Sequence, residues 1–593
     1  MRPSPTRLDH RFQLRVASLL ALAALAAGAL VPTAVAAPPA GFSYQDVASG
    51  WVDAVGTTFT SSGRMLVWER AGRVWTVDNG IKSATPFIDL SNEVGSWGDH
   101  GLLGFALHPN FKLNGYVYLL YVVDRDHLLN CDASIHDPSC SETTTNYASA
   151  TIGRITRYQA NLPTGATDYA SATSVDPLSR TVILGQTADS GCPILFQSHG
   201  VGGLLFGADE TLFATCGDGA SDVLVDTGSS LDTYWEQALT ETSPPIMLLE
   251  ENVGAYRAQM VNSLSGKLIR IDPMTGDGVS TNPWYDPQAP RAPPSRVWSL
   301  GLRDPFRIAL VPGSGSDNPN DGTPGVLLIG DAGLKAWQEF NVARFGGDNF
   351  GSPRFEGMDP HPGYSSAITF DRDAPNPLFG TGGCTQQYFS FQDLIGSYGS
   401  LPLKNPCDGV VDIPSTIPTH THQKPEIDWS YDTATARWSN ATGQHFDVGT
   451  NGVSGTMFSG RASTSGVWYA GTDFPASYRN TYFHADSATG WIRRFVLDAN
   501  GRIQSELPFD DAAGPVVDMS TSPTDGSLYV VLRNGGVKRV VYNAGEQMQV
   551  PLGGQVVRLD VVNDAGDLAP GLANPNAPPV VLFMGSPLEG AAP

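Results

Sequence analysis

Residues 519–541 read MSTSPTDGSLYVVLRNGGVKRVV, and their alternation decides the fold. Apolar and polar side chains alternate across three short runs, which is the period of a half-buried strand. The runs are separated by a Pro-Thr-Asp-Gly turn and an Asn-Gly-Gly turn, the residue types that tight reversals between strands require. The third run ends in basic residues. This is a strand–turn–strand–turn–strand phrase.

The same phrase recurs along the chain. It reads TTFTSSGRMLVWERAGRVWTV at 57–77 and LLFGADETLFATCGD at 204–218. Looser copies stand at 105–123 (FALHPNFKLNGYVYLLYVV), at 308–333 and at 467–497. A unit this small cannot cover both faces of its sheet alone. Radial stacking about a central axis solves that problem, and six copies predict an all-β, six-bladed β-propeller. A single two-sheet sandwich would need far fewer strands.

Composition agrees with that reading. Of 593 residues, 65 are Gly and 44 Pro, which suits turns and argues against a helical protein. Hydrophobic residues make up 41%, enough for a sizeable core, so wholesale disorder is excluded. Lys and Arg number 36 against 59 Asp and Glu, a formal charge of −23. An acidic chain without a basic run repels phosphate backbones, so nucleic acid is not an expected partner.

The first residues read as an export signal. Arg2, Arg7, Arg11 and Arg15 precede an apolar run from 16 to about 31, and Ala34-Val35-Ala36 gives the small-x-small pattern of a cleavage site. The expectation is a signal at 1–36, a propeller at 37–545, and a strand pair with a Pro/Ala-rich tail at 546–593. A secreted or periplasmic location follows, and no other stretch is long enough to span a bilayer. The six cysteines are then expected in disulfides. Of fifteen possible connectivities, short separations favour Cys131–Cys140, Cys192–Cys216 and Cys384–Cys407. Long insertions near 125–195, 219–260, 351–400 and 400–460 carry all of these cysteines except Cys216, and in a propeller such loops gather on one rim.

Four motifs carry more than turn chemistry: GDHGLLGFALHPNF at 98–111, SHGVGG at 198–203 leading to Gly217-Asp218-Gly219, GLRDPFR at 301–307, and GDAGL at 330–334 followed by QEFN at 338–341 and GGDNFG at 346–351. In this combination and order they resemble the soluble PQQ-dependent glucose/sorbosone (aldose sugar) dehydrogenase family, over about 42–541. The resemblance implies a six-bladed propeller that passes a hydride from the anomeric carbon of a sugar to PQQ, with Ca2+ polarising the quinone and an external electron acceptor. It assigns the general base to His199, a role that suits an imidazole near neutrality. It puts Asp99, Arg303 and Asp304 against the cofactor, with Asp304 standing where the family has Asn. It gives calcium to Asp331 with the carbonyls of Gly333 and Leu334, hard oxygens of the kind that ion requires.

One departure supports an alternative. The stretches matching the family's quinone-holding lysine and arginines read Ala485-Asp486-Ser487-Ala488-Thr489-Gly490 and Gly514-Pro515-Val516-Val517-Asp518, without a cation. The alternative is an inactive secreted propeller that binds carbohydrate or protein. Other motifs are weaker. His420-Thr421-His422 lacks a third metal ligand nearby, and residues 317–322 lack the Glu of a calcium loop. A calcium-dependent lactonase would need carboxylates converging on the axis, a set this sequence does not assemble. No G-x-S-x-G, H-E-x-x-H or P-loop occurs.

Overall fold

The computed structural model describes residues 38–136, 140, 148–533, 535–543, 548–552 and 555–559. The expected export signal and the Pro/Ala-rich tail lie outside the described residues. Six antiparallel sheets form the six blades of a propeller. Each of the six repeated phrases supplies the inner strands of one blade.

The innermost strands are Ala54–Phe59, Leu102–Leu107, Val201–Phe206, Pro305–Leu310, Ser463–Tyr469 and Val516–Thr521, and each packs against the next to close a ring. Small residues permit this. A Cβ on Gly202 would lie 2.1 Å from the Pro305 carbonyl of the neighbouring strand. Across the axis, Arg307 of blade four donates to Asp518 of blade six (3.1 Å) and to the Val55 carbonyl of blade one (2.7 Å). The amide of Thr57 completes this buried knot by donating to the other oxygen of Asp518 (2.9 Å).

Two features go beyond the three-strand phrase. Every blade has a fourth strand, and in blades two, three and four it follows a longer connection than the phrase contains. Blade four carries Ile427–Ser430 and two further strands after an excursion over 344–426. The insertions expected at 351–400 and 400–460 therefore belong largely to one excursion. The second feature is closure. The outer strand of blade six is Phe42–Val47, from the other end of the fold, paired antiparallel with Gly536–Tyr542. Phe42 anchors it, with ring centroids 4.9–5.1 Å from Phe474, Tyr478, Phe509 and Tyr542.

The three disulfides pair as expected. After the last blade, Met548–Leu552 and Gln555–Leu559 pair with each other. Among the described residues no helix is long and apolar enough to cross a membrane.

Candidate active site

The site grows from a repeated position. In blades two, three and four the two residues before the innermost strand are His100-Gly101, His199-Gly200 and Arg303-Asp304. Because the innermost strands form one ring, these turns meet at one mouth of the axis. His199 has φ of +56°, the left-handed region that non-glycine residues rarely adopt. The turn is braced by Gly217, where a Cβ would lie 2.3 Å from the His199 carbonyl oxygen.

His199 is buried, and its Nδ1 lies 2.9 Å from Oδ1 of Asp218. A carboxylate can only accept, so Nδ1 carries the proton and Nε2 is the edge left for chemistry. Asp218 is itself fixed. Its Oδ1 accepts from the Ala220 amide (3.0 Å), its own amide donates to the Arg303 carbonyl (2.8 Å), and Arg257 donates to its carbonyl (3.1 Å). Burial alone would push the Asp218 carboxyl up, but the charge and hydrogen bond of His199, with Arg303, hold it below the usual range. Burial and Arg303 press His199 down. The charge and hydrogen bond of Asp218, with Asp304, outweigh them and hold the imidazole above its ordinary value.

Beside this pair lies a small open cleft, which Asp218 lines together with Arg303, Asp331, Gly333, Leu334 and Glu339. Arg303 Nη1 donates to the carbonyls of Ala332 (2.9 Å) and Gly333 (3.0 Å). Asp331 accepts from the amides of Arg303 (3.1 Å) and Asp304 (2.7 Å). The last arrangement is a repeat. Glu69 in blade one and Asp486 in blade five hold the same register position, and accept from the amides of Val52 (2.9 Å) and Ala462 (2.9 Å). Asp331 thus caps the turn that presents Arg303 and Asp304.

Negative charge accumulates on this floor. Asp331 and Glu339 face each other across a strand pair, and Asp428 is Glu339's partner on the next strand. Burial, reinforced by neighbouring carboxylates, pushes Asp304 up to about 6 and Asp331 to about 7, and Glu339 well above the carboxylate range. Buried Asn341 donates to Glu339 (2.8 Å), leaving its own Oδ1 without a partner. Asp99 stands on the blade-two side of His199. It accepts from the Ser198 hydroxyl and lies 3.7 Å from His100 Nε2.

The structure thus brings His199, Asp99, Arg303, Asp304, Asp331, Gly333 and Leu334 to one mouth. The sequence reading gave no role to Asp218 or Glu339. Asp218 had a signal, an acid between two glycines at a strand end. Glu339 lay within the QEFN segment, but its place beside Asp331 depends on cross-strand register. His422 is stacked on Phe355 (4.1 Å) and held at about 3 by burial, a neutral packing residue.

The sequence model of the Glucose / Sorbosone dehydrogenase family matches residues 53–234, a span that includes Asp99, His199 and Asp218. Over that span the chain is similar to the glucose/sorbosone dehydrogenase family. It is 24% identical to the HIPL1 protein of Arabidopsis thaliana over 324 residues, 50% of this chain and 39% of that protein. It is 25% identical to quinoprotein glucose dehydrogenase B of Acinetobacter calcoaceticus over 315 residues, 51% of this chain and 52% of that protein. The chain spans about half the length of the curated relatives it matches. The structure of the PQQ-bound form of aldose sugar dehydrogenase from Streptomyces coelicolor aligns with a TM-score of 0.45 at 18% identity, over 85% of this chain and 98% of that one.

Proposed function

We propose that the protein is an exported dehydrogenase that oxidises an aldose at its anomeric carbon to a lactone, using PQQ, calcium and an external electron acceptor. The observation that carries this reading is the His199–Asp218 pair at the mouth of an acid-floored cleft. Asp218 fixes the tautomer, so Nε2 is free to take the proton of the anomeric hydroxyl. The carboxylate then stabilises the imidazolium that forms. The match to the family model and the likeness to a quinoprotein glucose dehydrogenase support the same chemistry.

The donor chemistry suits calcium. Buried carboxylates driven up by burial and one another mark negative charge that a divalent cation would relieve. Among the described residues no three carboxylates close to within 4.8 Å, so Asp331 would act with the carbonyls of Gly333 and Leu334. For an anionic quinone, Arg303 at the mouth offers a cation, whereas Asp99 and Asp304 beside it would meet the quinone's carboxylates only with calcium between them. Lys335 and Arg533 stand at this end of blades four and six, with no acidic partner in salt-bridge range among the described residues. When bound, PQQ would supply a two-electron hydride acceptor and calcium would polarise it.

Purified protein given PQQ and Ca2+ should reduce a redox dye in the presence of aldoses. No reduction with any aldose, together with no heat of PQQ binding in calorimetry, would sink the reading. A second reading, a propeller that binds carbohydrate or protein without a cofactor, is favoured by one observation. The acids of the two cation-free stretches are engaged internally, Asp486 with backbone amides and Asp518 with Arg307. Glycan binding that survives His199→Ala without PQQ affinity would support it.

A further inference from the structure

Asp218 is held from outside its own blade. Cys216 ends the second strand of blade three, two residues before Asp218, and is bonded to Cys192 in the short strand Cys192–Ile194 of blade two. The intervening loop lies directly on that strand. A Cβ on Gly219 would meet the Pro193 carbonyl at 2.9 Å and the Leu195 nitrogen at 3.3 Å. On its other side the loop touches the His199 backbone, with the Gly219 amide donating to the His199 carbonyl (3.1 Å). Both cysteines are fully buried. The other two disulfides each close a loop within one insertion, so Cys192–Cys216 is the one among the three that joins two blades.

We propose that the Cys192–Cys216 disulfide is a positioning device for the His199–Asp218 pair, clamping the loop that holds the carboxylate against the imidazole. This rests on His199 being the proton-accepting residue, but it is testable without turnover. The groups facing His199 are Asp218 from its own blade, Arg303 and Asp304 from blade four, and Asp99 and His100 from blade two. Only Asp218 is on the clamped loop. Loosening the clamp should weaken that one attraction and leave the others.

The experiment is a pH titration of histidine 13Cε1 resonances, with the His199 signal assigned by its loss in His199→Gln. In the Cys192→Ser/Cys216→Ser double variant the proton affinity of His199 should fall at least about threefold, in the same direction as in Asp218→Asn. The Cys384→Ser/Cys407→Ser pair should lower Tm and leave the His199 midpoint in place. An unshifted midpoint in the first double variant, even with a lowered Tm, reduces the bridge to a stabilising staple and overturns the proposal. If that variant does not fold, Gly219→Ala keeps the bridge and pushes its loop off Pro193. An unshifted midpoint there overturns the proposal equally. Because neither PQQ nor sugar is present, these outcomes are independent of whether the dehydrogenase reading holds.

Discussion

His199 combines three conditions that rarely coincide in one side chain: burial, a left-handed backbone and a single carboxylate behind the ring. Burial would leave the imidazole a weak base, and Asp218 restores its proton affinity. Removing that charge while keeping the shape should therefore show both effects. In Asp218→Asn the activity midpoint on the acid side should move to lower pH, and the plateau rate should fall by about 10²-fold or more. A pH profile of kcat/KM checks this. That His199 belongs at this mouth was readable only through the family resemblance of its SHGVGG motif. Its dependence on Asp218 was not, because the two meet only when adjacent strands pair and bring residues 19 apart into contact.

At the scale of elements, the legible part was the repeated phrase. Its turns name their own residue types and its strands alternate, so six blades could be counted from local pattern alone. In blades two, three and four the fourth strand was hidden because a long connection separates it from its phrase. The closing strand was hidden for a different reason. Phe42–Val47 has no partner near it in sequence, and its place in blade six follows from where the ring needs an edge covered. That closure is held by one aromatic plug. Phe42→Ala should cost about 3–5 kcal/mol in chemical denaturation, with the loss seen as a shift in midpoint at unchanged slope. The turn-capping acids Glu69, Asp331 and Asp486 were likewise invisible as a set. They are different residue types in differently spaced blades, and only the register aligns them.

At the scale of the whole molecule, an acidic chain has concentrated buried acid at its functional mouth. Asp304 and Asp331 bind their protons more tightly in the folded chain than in the unfolded one, where carboxylates titrate near 4. Their contribution to stability is therefore full at low pH and is lost as pH rises through about 6 to 7. Metal-free protein should melt at lower temperature at pH 8 than at pH 5.5. Millimolar Ca2+ should recover most of that difference, and Glu339→Gln should shrink both the difference and the recovery, as thermal unfolding at the two pH values will report. The most direct test of the central claim watches the reaction itself. Protein loaded with PQQ and Ca2+ is mixed anaerobically with an aldose while the absorbance of the bound quinone is followed. The account predicts rapid bleaching in the wild type and bleaching at least about 10²-fold slower in His199→Gln; equal rates in the two proteins, or no bleaching of the wild type by any aldose, would contradict it.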